Sequence, residues 1–425
     1  MDRISALDPD QVEFSEYRRA ATFALTNEAL LSMRSVVHER LPLFTSLRAG
    51  EPMGRRRGAA SWLFAGIALV CADSASAQDG RDSSWNLARV RAVLAPPTPA
   101  EIDDVRSVWK RQVAPAADAQ LVEHGSLVRE GAGFEVSVYR HVVDANEHYT
   151  AVFAPRGAPA GTLPILVETR GVRFDYPVRR IADGPFVMSV LGDLLDDFII
   201  VEPCLRGHEL QAIATTHRAE GDRRDSWVGA ARDVAASVSV AIAHTPAADG
   251  ERVVSFGVSR GGGVALLHGA RDRRVKAVVA MSAPTDWLRH MSSPGEDWGA
   301  RIQRAAASYA EPTNDRAVQF YEWFLQDREH LADSDVRRRL IGSSPLYFAD
   351  LLPPVLVHHG SRDSSVPAVN AAALNDRLVA MGRADDTHRV VLHEGAGHLL
   401  RGSPAAGQTQ AFLARTVLDQ RGHRP

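Results

Sequence analysis

From about Gly133 onward, short apolar runs of strand length alternate with longer segments whose apolar residues fall at helical spacing. Strands are expected over 134–142, 148–154, 163–169, 198–202, 252–257, 275–281, 354–359 and 389–393. The first two lie close together and read as an antiparallel hairpin. Helix-length segments separate most of the later ones, which predicts a mostly parallel central sheet with helices on both faces, an α/β class. Over 225–243, Val228, Val234, Val238 and Ile242 stand among many alanines, the pattern of a crossover helix. No internal repeat or low-complexity tract interrupts this order.

Two regions depart from the alternation. Before the core, residues 85–120 read as a small helical lead-in, and Thr98-Pro99-Ala100-Glu101 has the form of a capping box with proline at the first helical position. Between the sixth and seventh expected strands, residues 285–350 form an aromatic-rich insertion. Within it Ala317, Phe320, Tyr321, Phe324 and Leu325 follow helical spacing. Such a stripe is a core face or part of a helical cap over a site, with Trp298 and Trp323 as candidate substrate-binding aromatics.

The N-terminal region has the layout of an export signal in an unusual place. Met53-Gly54-Arg55-Arg56-Arg57 precedes an uncharged run from Gly58 to Ala72 and then Ala75-Ser76-Ala77 before Gln78. The run is shorter than the roughly 20 apolar residues that cross a bilayer. The expected division is therefore an upstream extension without a functional role at 1–52, a signal peptide at 53–77, a helical lead-in at 78–130 and a catalytic domain at 131–425 with its insertion at 285–350. A periplasmic or secreted location follows, without stable membrane insertion.

The candidate chemistry sits at strand ends. Gly257-Val258-Ser259-Arg260-Gly261-Gly262-Gly263 directly follows the apolar run Val253-Val254-Ser255-Phe256, a strand, sharp turn and helix start that form a nucleophile elbow. Small neighbours are needed because a side chain at Gly257 or Gly261 would collide with the turn. Asp363 lies three residues beyond Gly360 at the end of another expected strand, and His398 follows a third. The order Ser259, Asp363, His398 is the one expected of a triad on an open α/β sheet. The oxyanion would be held by the Arg260 amide together with a donor from the loop that begins at Gly171 and Val172. Tyr176 is a further candidate donor, or a packing residue.

Composition narrows the alternatives. The chain has 425 residues, 45% of them hydrophobic and 24% charged, ordinary values for a globular protein with a large core. A net charge of -3 supplies no basic field for nucleic acid or an anionic membrane. Lysine occurs only at Lys110 and Lys276, and neither follows a phosphate-binding glycine loop, which argues against P-loop chemistry. Cys71 falls in the expected leader and Cys204 at a strand end, so the mature chain would have one thiol and no internal disulfide. No local constellation marks Cys204 as an activated thiol, and a small packing residue is expected there.

His393-Glu394-Gly395-Ala396-Gly397-His398 is laid out somewhat like a zinc-binding helix, but its histidines are one residue too far apart and two glycines disfavour a helix. His358 and His359, adjacent in a strand, should point to opposite faces. Neither a metal nor another cofactor is expected. The same scaffold can also serve as a ligand-binding module with an idle triad.

Ser343-Ser344-Pro345-Leu346-Tyr347-Phe348-Ala349-Asp350, followed by a strand and His359-Gly360-Ser361-Arg362-Asp363-Ser364-Ser365-Val366-Pro367, resembles the acid loop of prolyl oligopeptidase family catalytic domains. Leu205-Arg206-Gly207 resembles the same family, and the likeness covers roughly residues 130 to 420. It implies an α/β-hydrolase fold with Ser259 as nucleophile, Asp363 as acid and His398 as base. It also implies peptidase or esterase activity on a small peptide or ester. Two features differ from the larger members: residues 78–130 leave no room for their N-terminal β-propeller, and the loop after the strand at 163–169 reads Thr169-Arg170-Gly171-Val172 rather than a His-Gly-Gly or Tyr-Gly-Gly type.

Overall fold

A computed structural model describes residues 87–111, 118–170, 178–291 and 332–419, all within the compact unit Ser83–Pro425. The expected extension at 1–52 and signal peptide at 53–77 lie outside the described residues, as do Gly171, Val172, Tyr176 and the aromatic stripe with Trp298 and Trp323.

In chain order the strands are β1 (Ala119–Arg129), β2 (Ala132–Val143), β3 (Asn146–Pro155), β4 (Leu163–Thr169), β5 (Val178–Arg180), β6 (Ile199–Cys204), β7 (Glu209–Gln211), β8 (Thr216–Arg218), β9 (Ala248–Val258), β10 (Val275–Met281), β11 (Val355–Gly360) and β12 (His388–His393). The helices are α1 (Leu87–Val93), α2 (Pro99–Arg111), α3 (Met188–Leu191), α4 (Val228–His244), α5 (Arg260–Arg271), α6 (Trp287–Met291), α7 (Asp333–Gly342), α8 (Val369–Ala380) and α9 (Ala405–Leu413).

Nine strands form one sheet in the order β1-β2-β3-β6-β4-β9-β10-β11-β12, and β5, β7 and β8 form a small separate one. The pairs from β1 through β3 to β6 are antiparallel. From β6 to β12 every pair is parallel, as helix-length crossovers require. This is the α/β-hydrolase architecture, and all eight expected strands are present.

Alternate residues of the parallel strands feed two cores, because successive side chains on a strand leave opposite faces. Ile165, Val167, Val253, Val278, Val355 and Val357 pack on one face with Val234 and Val238 of α4, Leu267 of α5 and Leu374 of α8. Leu166, Val254, Phe256, Val279 and Leu356 pack on the other with Met188 of α3 and Phe412 of α9. Both faces being covered explains why these strands read as continuous apolar runs.

The capping box forms as the sequence predicts. Glu101 accepts from the Thr98 amide at 2.8 Å, and the Glu101 amide donates to Thr98 Oγ1 at 3.3 Å, at the start of α2. The helical lead-in expected over 78–130 is corrected at its C-terminal end, where residues 119–129 are β1 and pair along most of their length with β2. Its alternation is blurred because it is an edge strand: Leu121 is 50% and Val128 67% exposed, so apolar positions do not mark a single buried face.

Candidate active site

β9 runs straight into α5, and Ser259 is the joint between them, with φ 57 and ψ -127. A left-handed serine costs backbone energy that the surroundings must offset. They do so by close packing. A Cβ on Gly257 would stand 2.1 Å from the Gly261 carbonyl oxygen, and one on Gly261 would stand 2.0 Å from that of Thr169. Gly263 lies against the Trp227 ring, where a Cβ would come within 2.7 Å of Cζ3. Small residues let the end of β4, the elbow and the first turn of α5 nest against one another. The Ser259 amide donates to the Met281 carbonyl at 2.8 Å, tying the turn to the end of β10.

Arg260 opens α5, so its amide belongs to the positive end of the helix, where anions are favoured. Its side chain is buried and Nη1 donates to the Ser226 carbonyl at 3.2 Å. Thr169, also buried, donates its hydroxyl within reach of both Gly261 O (2.8 Å) and Phe256 O (3.1 Å), fixing the start of the loop that leaves β4. Gly171 and Val172, the other expected oxyanion residues, are outside the described residues. Arg170 next to them pairs with buried Glu168, and its Nη2 donates to the Gly184 carbonyl at 2.8 Å. Burial opposes the Arg170 charge, but Glu168 and Glu202 outweigh it and hold the guanidinium protonated.

Asp363 and His398 meet as the sequence predicts. His398 Nδ1 lies 2.8 Å from Asp363 Oδ2, while Asp363 Oδ1 accepts the amides of Ser365 (2.9 Å) and Val366 (2.8 Å). Burial acts to raise the Asp363 carboxyl. The hydrogen bond and charge of His398, with the Val366 amide, outweigh it and keep the group below the usual carboxylate range. A carboxylate held ionised fixes the imidazole with its proton on Nδ1 and leaves Nε2 to accept. The His398 side chain is 20% exposed, open to a substrate on one side. Among the hydrogen bonds of the described residues, none joins Ser259 Oγ to His398 Nε2, a contact that in serine triads is often long or poorly aligned.

The acid and histidine loops are stapled together. The Ser361 amide donates to the His393 carbonyl at 3.0 Å, the Gly395 amide to Ser361 Oγ at 2.8 Å, and the Arg362 amide to the Ala396 carbonyl at 3.0 Å. Sequence reasoning missed Ser361, and the only available signal was its place between Gly360 and Asp363.

The two adjacent histidines of β11 do part to opposite faces. His358 Nδ1 lies 2.9 Å from His393 Nε2 and its Nε2 lies 3.2 Å from Thr409 Oγ1, whereas His359 Nε2 donates to the Val366 carbonyl at 2.8 Å. His393 ends a strand, not a helix. Cys204 is buried and forms no disulfide, and its thiol donates toward the His208 carbonyl at 3.4 Å. The described ends of the 285–350 insertion pack into the core. The Thr285 and Asp286 amides donate to Asn370 Oδ1 (3.0 and 3.3 Å), the Trp287 amide donates to Ser344 Oγ (2.9 Å), and Trp287 meets Trp227 edge to face.

With this geometry in view, the chain can be set beside known proteins. A profile of the prolyl oligopeptidase family matches residues 196–417. No curated protein matches the chain. Among solved structures it is similar to an acylaminoacyl peptidase in complex with Z-Gly-Gly-Phe-chloromethyl ketone, at 19% identity and a TM-score of 0.46, covering 67% of this chain and 42% of that one. It is similar to acetyl xylan esterase 1 from Thermoanaerobacterium sp. JW/SL YS485 at 17% identity and a TM-score of 0.49, covering 79% of this chain and 99% of that one. A puromycin-hydrolyzing peptidase from Mycobacterium tuberculosis gives 18% identity, a TM-score of 0.45 and coverage of 66% and 39%. The chain thus spans less than half the length of the two peptidases it matches. The family match encloses the elbow, the acid loop and the histidine loop together, and the chain belongs to the prolyl oligopeptidase family of serine hydrolases.

Proposed function

We propose that the protein is an exported serine hydrolase that cleaves a peptide or ester bond through an acyl-enzyme on Ser259. One observation carries this: a strained serine at the head of α5 (φ 57) accompanies a histidine already paired at 2.8 Å with a buried, ionised aspartate. His398 Nε2 takes the hydroxyl proton as Ser259 Oγ adds to the substrate carbonyl carbon. The carbonyl electrons move to oxygen, where the Arg260 amide and a donor from the loop starting at Gly171 and Val172 receive the charge. Each such donor contributes about 3 kcal/mol. Collapse of the intermediate breaks the bond to the leaving amine or alcohol, which receives the proton from His398. Water then adds to the acyl-enzyme with His398 again as base, releasing the acid and restoring Ser259. Asp363 remains ionised throughout and steadies the imidazolium.

A fluorophosphonate probe is expected to label Ser259, and Ser259→Ala to abolish labelling without loss of fold. Folded parent protein that resists the probe would refute the assignment in favour of a ligand-binding module. Because histidine and amide groups account for every proton and charge in this cycle, EDTA is expected to leave activity intact. Turnover of prolyl or aminoacyl amides beside short acyl esters separates peptidase from carboxylesterase. The export signal at 53–77 and the function-free extension at 1–52 belong to the same proposal; N-terminal sequencing of exported protein should begin at Gln78, and a mature end upstream of Met53 would overturn it.

A further inference from the structure

Between the nucleophile and the base stands the end of β10, and it holds the main chain of both. The Ser259 amide donates to the Met281 carbonyl at 2.8 Å. The next residue, Ser282, donates its hydroxyl to the carbonyl of His398 itself at 2.6 Å, and its amide to the His358 carbonyl at 2.8 Å. Ser282 is fully buried.

Two features set this contact apart from an ordinary turn. Ser282 has φ 49, a left-handed backbone that suits glycine and strains a side chain with a Cβ. Its hydroxyl serves none of the groups of its own turn; it reaches a residue 116 positions along the chain. A glycine would fit the backbone better but could not make that bond. The receiving loop also needs an anchor. Gly395 and Gly397 precede His398 and Leu400 is itself left-handed at φ 57; the hydrogen bonds to the acid loop reach Gly395 and Ala396, and Asp363 holds the ring at its Nδ1 end. Between those two holds the glycine-flanked peptide of His398 can still pivot, and with it the direction of Nε2, unless its own carbonyl is tied.

We infer that Ser282 is a positioning residue: with Met281 it forms a brace that sets how closely His398 Nε2 approaches Ser259 Oγ. The inference rests on the assignment of Ser259, Asp363 and His398 as the triad. Ser282 touches no reacting atom, so its effect should fall on the chemical step and not on substrate binding.

Ser282→Gly separates that effect from stability, since it removes the hydroxyl while relieving the backbone. It is expected to melt at or above the parent Tm. Its kcat should fall roughly tenfold to a hundredfold with KM unchanged, the loss associated with displacements of about 1 Å in a catalytic geometry. Fluorophosphonate labelling of Ser259 should slow in the same proportion. Ser282→Ala should lose activity likewise. Parent-like kcat in folded Ser282→Gly overturns the inference, as does a loss confined to KM or one that tracks a fall in Tm across both variants. Parent protein that resists the probe overturns the triad assignment and the role of Ser282 with it, whereas equal labelling of parent and Ser282→Gly overturns the brace alone.

Discussion

The residues that carry the chemistry are held by contacts with almost no spare room, which makes single atoms decisive. Gly261→Ala would put a methyl group 2.0 Å from the Thr169 carbonyl oxygen; the Cβ is fixed by its own backbone and the oxygen is backbone, so neither can rotate away. Loss of about 1–3 kcal/mol in a denaturant titration is expected, together with slower labelling of Ser259 as the elbow shifts. Asp363→Asn removes the acceptor that fixes the His398 tautomer, and kcat should fall by roughly 10⁴-fold while the fold persists. Ser259, Asp363 and His398 were legible because each follows closely on a strand in a glycine-bearing turn or loop, a local pattern. Ser361 and Ser282 were not, since their partners lie 34 and 116 residues away and are chosen only when β10, β11 and β12 come together.

At the scale of elements, the lead-in helices clamp the returning leg of the insertion. Arg337 of α7 pairs with Glu101 of α2 through Nε and Nη2 at 2.6 and 2.9 Å, and its Nη1 donates to the carbonyls of Ala92, Val93 and Ala95. Arg89 pairs with Asp333 and Arg338 with Asp104, while Trp109 packs on Phe348. Glu101 thus caps one helix and binds another, and the Arg337 hydrogen bond leads the effects that lower its carboxyl to about 2. Its folded pKa lies below the unfolded value, so its contribution is present above about pH 4.5 and is lost as pH falls toward 2. Glu101→Gln should cost about 1 kcal/mol at pH 7, with the deficit closing over that window in melts at stepped pH. The capping box was visible in four consecutive residues. The clamp was not, because nothing local couples Glu101 to an arginine 236 positions on, and β1 was hidden by its half-exposed edge.

For the molecule as a whole, the sheet encloses imidazoles that resist protonation. Burial, reinforced by neighbouring charge from His148 and from His393 and Arg389 respectively, lowers His141 to about 4 and His358 to about 3. The unfolded chain binds these protons near pH 6.5 and the folded one does not, so stability is present above that value and declines as pH falls through 4 and then 3. Each should steepen the decline by about 1.4 kcal/mol per pH unit within its window. Calorimetry at stepped pH on the parent and His358→Gln should show the two curves converging on the acid side. The α/β architecture itself was readable because both faces of the parallel strands are buried, so apolar runs survive intact in the sequence.

The anchoring of the insertion has a further consequence. Its outgoing end is moored by Asn370 and Ser344, its returning end by α1 and α2, and α6 and α7 touch each other. Both described ends are thus seated on the same frame as the nucleophile, since Trp287 meets Trp227, whose ring backs Gly263 of the elbow, and a change at the outgoing end reaches Ser259 through two touching indoles.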